Sequence, residues 1–256
     1  MIRDTIREQI LSILQTGGSK SVKELSSVTF SSESTIRRAI QYLEDKGDVV
    51  CVRGIVSLIR DISVDRTMPH RYASNVRQKQ KIARAAQRFI ENGERIMIDS
   101  SSTSLIFAES LKNYKHMDVL TNGIVAALEL AQYMDPTTRV FCTGGIVYRE
   151  AAGTYGSSAI EGIRSHHVDR AFVSGRGLDP RLGLTDSREE ESSIKRAMSD
   201  CANETIVLLD SSKFLKQFYT QSLPLDAIDT IVTDAEPPQE IREVLEQTGT
   251  SLIIAE

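Results

Sequence analysis

The sequence predicts an α/β protein in two parts: a small head of three helices and a β-hairpin, then a larger domain built on a mainly parallel sheet. Three observations predict it. The first 60 residues carry three helix-period apolar patterns followed by two short β-rich runs. From residue 81 onward, strand and helix patterns follow one another in turn. Charge divides the same way: residues 1–90 hold 16 Lys and Arg against 9 Asp and Glu, and the remainder holds 15 against 26, within a formal net charge of −4.

In the head, Ile6, Ile10, Ile13 and Leu14 recur on one face of a first helix that Gly17 and Gly18 end. Ser21 and Glu24 have the spacing of a capping box and open a short second helix. The third helix is the informative one. Ile36, Ile40 and Leu43 fall at i, i+4 and i+7 and form one buried stripe, while Ser34, Arg37, Arg38 and Gln41 occupy the opposite face. Ser32 as N-cap leaves first-turn amides near Ser34 and Thr35, where a phosphate can accept from them. Residues 49–52 and 55–59 then read as two β-runs around a tight turn at Arg53 and Gly54. This order is that of a winged helix-turn-helix.

An arginine can bridge guanine O6 and N7, and a glutamine amide suits adenine, so the outward face of the third helix fits the major groove of double-stranded DNA. Ser34, Thr35, Arg37, Arg38, Gln41 and, in the wing, Arg53 are the DNA-contact candidates. A solvated surface helix would carry the same two arginines. The basic surplus favours DNA, because neutralised phosphates supply most of the non-specific affinity of such proteins.

With 256 residues, 40% hydrophobic and 26% charged, the chain has room for one small and one medium domain. The expected boundaries are a head at 1–60, a polar and basic connection at 61–80, and a second domain at 81–256. Neither an apolar leader nor a run of about 18 apolar residues occurs, so a cytoplasmic protein with no membrane partner is expected. Cys51, Cys142 and Cys201 lie far apart, and His70, His116, His166 and His167 have no ligand spacing with thiols or carboxylates. No metal and no cofactor are expected.

The second domain opens with a helix whose apolar face carries Ile82, Ala85, Ala86, Phe89 and Ile90 and which ends at Asn92 and Gly93. Strands follow at 95–99, 118–122, 139–143, 171–174, 205–210, 230–233 and 251–254; helices stand between them at 104–112, 124–133, 157–164 and 189–202, and after Pro237 and Pro238. Ligands of such sheets bind just beyond the carboxyl ends of the strands. Those positions hold Asp99 with Ser102 and Thr103, then Thr121 and Asn122, Gly144 and Gly145, Gly175, and Lys213. A hydroxyl-rich loop entering a helix N-terminus can cradle an anion or can be a plain N-cap. Glu191 and Lys195 are spaced i, i+4 and share a helix face, as a surface ion pair or as a rim contact to sugar hydroxyls and phosphate.

Taken in order, Thr35-Ile36-Arg37-Arg38, Leu43, Gly47, Lys81-Ile82-Ala83, Ile98-Asp99, Ser102-Thr103, Thr121-Asn122, Gly144-Gly145, Glu191, Lys195-Arg196-Ala197, Asp210-Ser211-Ser212-Lys213-Phe214 and Thr233-Asp234 resemble the DeoR-type family of bacterial repressors of carbohydrate metabolism. The resemblance spans nearly the whole chain. It implies a repressor that binds operator DNA as a homo-oligomer, dimer or tetramer, and a sensor domain that binds a phosphorylated sugar and is similar in fold to ribose-phosphate isomerases and acyl-CoA transferases. By residue, it implies effector contacts at Asp99, Ser102, Thr103, Thr121, Asn122, Gly144, Gly145, Glu191, Lys195 and Lys213, to which its strand-end position adds Gly175. Ala39 stands where the family usually has Asp, Cys51 and Ile55 depart from its usual wing, Ser101 replaces a glycine, and Leu215 replaces the glycine after Ser-Lys-Phe. The competing expectation is a sugar-phosphate isomerase or transferase with an accessory head, which rests on fold alone.

Overall fold

The computed structural model describes residues 2–17, 19–46, 48–52, 54–58, 68–148 and 151–256. The chain divides into two compact units, Met1–Arg66 and Thr67–Glu256. No described helix is long and apolar enough to cross a membrane.

The first unit contains α1 (Ile2–Gly17), β1 (Lys20–Ser21), α2 (Val22–Val28), α3 (Glu33–Lys46), β2 (Val49–Val52) and β3 (Ile55–Leu58). Ile10 and Leu14 from α1, Val22 and Leu25 from α2, and Ile36, Ile40 and Leu43 from α3 close one core with Val49 and Val56 of the wing. The capping box at Ser21 and Glu24 is formed on both sides. Thr35 N–H donates to Ser32 Oγ at 3.3 Å, which caps α3 as expected. A third strand, β1, joins the antiparallel wing in the order β1-β3-β2. Glu44 ties the wing to α3, its carboxylate accepting from Cys51 N–H at 2.7 Å. Arg53, the candidate at the wing turn, lies outside the described residues.

The second unit begins with α4 (Met68–Ala73) and α5 (Val76–Ala86). The sequence predicts a connection at 61–80, whereas residues 68–73 and 76–80 are helical. The apolar pattern lapses there because α4 has only 6 residues and because a buried position of α5 is filled by Lys79, 2% exposed, rather than by a hydrocarbon side chain. The unit continues through β4 (Arg95–Ile98), α6 (Ser102–Glu109), β5 (Asp118–Thr121), α7 (Ile124–Tyr133), β6 (Arg139–Cys142), β7 (Ile146–Tyr148), β8 (Gly153–Tyr155), α8 (Ser157–Arg164) and β9 (Val168–Val173). It ends with β10 (Gly177–Asp179), β11 (Gly183–Asp186), α9 (Glu189–Asp200), β12 (Ala202–Leu208), β13 (Thr220–Leu223), β14 (Thr230–Thr233), α10 (Gln239–Thr248) and β15 (Ser251–Ile254).

Seven strands form one sheet in the order β15-β14-β12-β9-β4-β5-β6, every pair parallel. Alternate residues feed two cores, as a sheet covered on both faces requires. Met97, Ala171, Val173, Val207 and Ile231 face α8, α9 and α10. Ile96, Ile98, Val119, Phe172, Ile206 and Val232 face α5, α6 and α7, where the Phe107 and Phe172 rings lie 4.4 Å apart. Two smaller pieces were not expected from the sequence: the hairpin β7–β8, and a three-stranded antiparallel sheet β10-β11-β13. Strand order reverses between β4 and β9, which places the natural crevice of the sheet beyond Ile98 and Val173.

Candidate functional site

Asp99 stands at that reversal point. Its Oδ2 accepts from Ser174 N–H at 3.3 Å and its Oδ1 from Ser101 N–H at 3.2 Å, so one carboxylate pins the ends of β4 and β9 and the loop into α6. That loop is shorter than expected. Helix α6 begins at Ser102 rather than 104, because the Ser101 hydroxyl accepts from Ser104 N–H at 3.1 Å and serves as the N-cap.

Beside Asp99 opens a small cleft. Its walls bring together Asp99, Ser100 and Ser101 of the first loop, Asn122 after β5, Tyr155 of β8, Glu191, Ile194 and Lys195 of α9, and Arg71 of α4. Of the expected effector residues it therefore gathers Asp99, Asn122, Glu191 and Lys195. Ser102 and Thr103 sit buried in the first turn of α6. Thr121 is also buried, its hydroxyl accepting from Gly123 N–H at 2.9 Å. Gly144 and Gly145 lie on the exposed approach to β7. At Gly145, φ is +122° and a Cβ would meet the Tyr155 carbonyl oxygen at 2.4 Å. Gly175 packs under Leu184, which a Cβ there would strike at 2.5 Å. Lys213 reaches Ser174 Oγ at 3.1 Å and Asp210 Oδ2 at 3.6 Å, on the same strand-end rim.

The cleft is lined by charge. Glu191 and Lys195 share a helix face as expected, but they are buried and do not form a surface pair. Lys195 Nζ donates to Asp186 Oδ2 at 2.5 Å and lies 3.8 Å from Asp99 Oδ2. Burial works against its charge, but Asp186, Asp99 and Glu191 more than offset this and raise its pKa. Burial pushes the Asp186 carboxyl up in spite of Lys195. Burial also acts to raise Glu191, yet Lys195, Arg176 and Arg71 hold it below the usual carboxylate range. Glu191 lies 3.5 Å from Arg176 Nε and 3.9 Å from an Arg71 terminal nitrogen. These are loose contacts for a guanidinium and a carboxylate.

Two polar atoms of the lining have no hydrogen-bond partner in the protein: Asn122 Oδ1 and Arg71 Nε. Asn122 Nδ2 is engaged by the Thr154 carbonyl at 3.1 Å, which leaves the amide oxygen as the unused acceptor. A buried acceptor and a buried cationic donor left over in one cleft suit a ligand that offers both hydroxyl hydrogens and an anion. The hairpin β7–β8 closes the floor beside them. Gly153 allows this, since a Cβ there would come within 2.7 Å of the Ser100 side chain, and Tyr155 O–H and Ser100 Oγ then meet at 2.8 Å. Among the described residues no group of His, Cys, Asp and Glu is arranged to hold a metal ion.

In the head, Ser34, Arg37, Arg38 and Gln41 are exposed along α3, and Thr35 is half-buried at its edge. Arg37 pairs with Glu33 at 3.6 Å, and Gln41 Nε2 donates to Asp45 Oδ1 at 3.1 Å. Both partners are exposed side chains on the same helix, which can release them to DNA at little cost. Tyr42 shares this side of the helix, with the Arg7 guanidinium stacked 3.5 Å from its ring centre. Ala39, where the family usually has Asp, is buried.

The family described as the DeoR-like helix-turn-helix domain matches residues 7–61, and the DeoR C-terminal sensor domain matches residues 74–235. The chain belongs to the DeoR family. It is 30% identical to the HTH-type transcriptional regulator GolR of Listeria innocua over 98% of both chains. To the HTH-type transcriptional repressor GlcR of Bacillus subtilis it is 31% identical, over 88% of this chain and 86% of that one. Among solved structures, ribose 5-phosphate isomerase A of Methanocaldococcus jannaschii matches at 20% identity and a TM-score of 0.40, over 55% of each chain. As a DeoR-family regulator, the protein carries its helix-turn-helix domain and the cleft of its sensor domain in separate units.

The sequence does not mark Arg71 and Tyr155 as part of the cleft of this DeoR-family protein, nor Asp186 as the partner of Lys195. Arg71 fell in the stretch taken for a connection, and Tyr155 and Asp186 lie on short strands that a window of alternating residues does not reveal. The signal available for Asp186 is its place three residues before the acidic start of α9.

Proposed function

We propose that this protein is a transcriptional repressor of a carbohydrate-utilisation operon, and that a phosphorylated sugar bound in the strand-end cleft controls its grip on operator DNA. The observation that carries the reading is the cleft itself: acidic and cationic side chains held side by side, with Asn122 Oδ1 and Arg71 Nε left without partners. A sugar phosphate offers hydroxyls to Asp99 and Asn122 and an anion to the cations. DeoR-family membership supports the DNA half of the reading; the face of α3 with Ser34, Thr35, Arg37, Arg38 and Gln41 supplies contacts, and the sequence adds Arg53 of the wing as a further candidate. The protein acts as a homo-oligomer, so that two heads meet two half-sites about one helical turn apart. The effector lowers operator affinity only as far as it binds the released arrangement more tightly than the DNA-bound one.

The test combines two measurements on the full chain. Pentose and hexose phosphates are screened by thermal shift, since a ligand that binds only the native state must raise the melting temperature. Fluorescence anisotropy then follows binding to the DNA upstream of its own coding sequence, with and without each hit. Salt-sensitive DNA binding that a hit weakens supports the proposal; absence of salt-sensitive binding refutes it. The isomerase alternative predicts turnover of the same sugar phosphates, which needs a base poised on a substrate carbon. DeoR-family membership favours regulation over that alternative.

A further inference from the structure

We propose that Arg71 grips the anionic end of the effector, and that α4 is the element through which occupancy of the cleft reaches the DNA-binding unit. The inference rests on the effector reading above and adds to it a ligand contact and a route. Three observations carry it.

The first is the state of Arg71. Its side chain is 17% exposed, its Nε is buried without a partner, and its nearest carboxylate, Glu191, stands 3.9 Å away, outside hydrogen-bond reach. A guanidinium held this way has donors to spare, and a phosphate can take two of them at once. The second is how firmly the backbone beneath it is held. Met68 is buried in the core, and Tyr72 O–H donates to Glu109 Oε1 of α6 at 2.7 Å. The Lys79 ammonium reaches back from α5 to the Arg71 carbonyl and, at 2.7 Å, to the Ser74 carbonyl. These are carbonyls at the end of α4, and the Lys79 side-chain nitrogen gives them buried hydrogen-bond donors. The turn between α4 and α5 passes through Asn75, whose φ is +53° and whose Nδ2 donates to Asp210 Oδ1 and Ser212 Oγ, both at 3.1 Å. That loop also carries Lys213. The Lys213 rim and the Arg71 wall of the cleft are therefore braced against each other through one turn.

The third observation is position in the chain. The second unit begins at Thr67 and α4 at Met68, so α4 is the first described element after the residues that leave the DNA-binding unit. A ligand that draws Arg71 inward loads this helix, the first described element after the junction. Ligand binding then favours the docked state of α4 over any looser one, which is a population shift with a named element. Lys79 acts through α4 as a positioning residue.

The test uses the full chain with inorganic phosphate and glucose 6-phosphate as probes. Thermal shift titrations are run on the wild type, Arg71→Gln and Arg71→Lys. The expected result is a phosphate affinity at least tenfold weaker in Arg71→Gln and two- to fivefold weaker in Arg71→Lys. Hydrogen exchange on the wild type needs no variant, and here the amides of residues 68–73 should become at least threefold slower to exchange when the probe is bound. In DNA-binding titrations, Arg71→Gln should bind upstream DNA as the wild type does but lose the response to glucose 6-phosphate, whereas Lys79→Met should blunt that response and Lys79→Arg restore part of it. Affinity of Arg71→Gln for phosphate within twofold of wild type, or unchanged exchange in 68–73 on binding, overturns this inference alone. A wild type that responds to neither these probes nor other sugar phosphates overturns the effector reading, and this inference with it.

Discussion

Lys195→Met tests whether the cleft is held together by its charges. The ammonium lies 2.5 Å from Asp186 Oδ2 and 3.8 Å from Asp99 Oδ2, and the three side chains are between 2% and 6% exposed. At an effective dielectric constant of about 20, these contacts correspond to roughly 7 and 4 kcal/mol of gross attraction, most of it offset by the cost of taking the ions out of water. Removing one partner leaves the others buried without their counter-charge, which costs about 3–5 kcal/mol. Asp186 limits the loss by taking up a proton, helped by burial that already pushes its pKa up. Differential scanning fluorimetry should therefore show the sensor unit melting about 10 °C lower, at roughly 2–4 °C per kcal/mol for a unit of this size. The double variant Asp186→Asn, Lys195→Met keeps the shape without the stranded acid and should recover at least half of the drop. Operator affinity should stay within threefold of wild type, because the DNA-reading helix belongs to the other unit, while induction by sugar phosphate is lost. A drop below 2 °C, or a double variant less stable than the single one, refutes the reasoning.

Arg37→Ala and Arg38→Ala should each weaken upstream DNA binding by about 1–3 kcal/mol if the side chain reads a base, or lower the salt slope by about 1 if it meets a phosphate; anisotropy titrations at several salt concentrations separate these, and no change in either removes the residue from the interface. Phe30 is 97% exposed with φ at +50°, a conformation that costs a bulky side chain about 1–2 kcal/mol, so Phe30→Asn should raise the urea midpoint of the head, and an unchanged midpoint counts against strain there. Lys79 has its pKa lowered to about 7 by burial and by Lys213 and Arg71, against the pull of Asp210. Above that pH the unfolded chain holds a proton that the folded one has released, so stability should rise with pH from about 7 toward the ordinary lysine value, by up to about 1.4 kcal/mol per unit. Urea unfolding at pH 7, 8 and 9 should show a flatter dependence for Lys79→Met, and equal slopes would contradict the burial of that charge.

The sequence made the regular elements legible where one period dominated. Helices α7 and α8 and strands β14 and β15 fall on the expected residues, because each is a single amphipathic or apolar run bounded by turn residues. The strands β8, β10, β11 and β13 each hold a single large apolar residue among glycines and polar side chains, and β7 is a run of only three, so none stands out from its surroundings. Half of the cleft was legible for a different reason. Asp99 and Asn122 follow parallel strands, and the rule that ligands bind at such ends is local in sequence. Arg71 and Tyr155 arrive from a helix and a hairpin outside the parallel sheet, so their nearness to Asp99 is a property of the folded chain. Lys195 was found, but its partner was not: spacing favoured Glu191, whereas the fold supplies Asp186 from β11.

The seat of the β7–β8 hairpin sets an asymmetry in what this protein can change. At Gly153 a single methyl group would push the ribbon off Ser100 and spoil the floor of the cleft, yet Ile146 and Val147 on the outer strand are 62% and 57% exposed. Ile146 and Val147 can be exchanged with little loss of packing, while Tyr148 on the same strand is held against Tyr155 and the inner strand is closed to change by geometry.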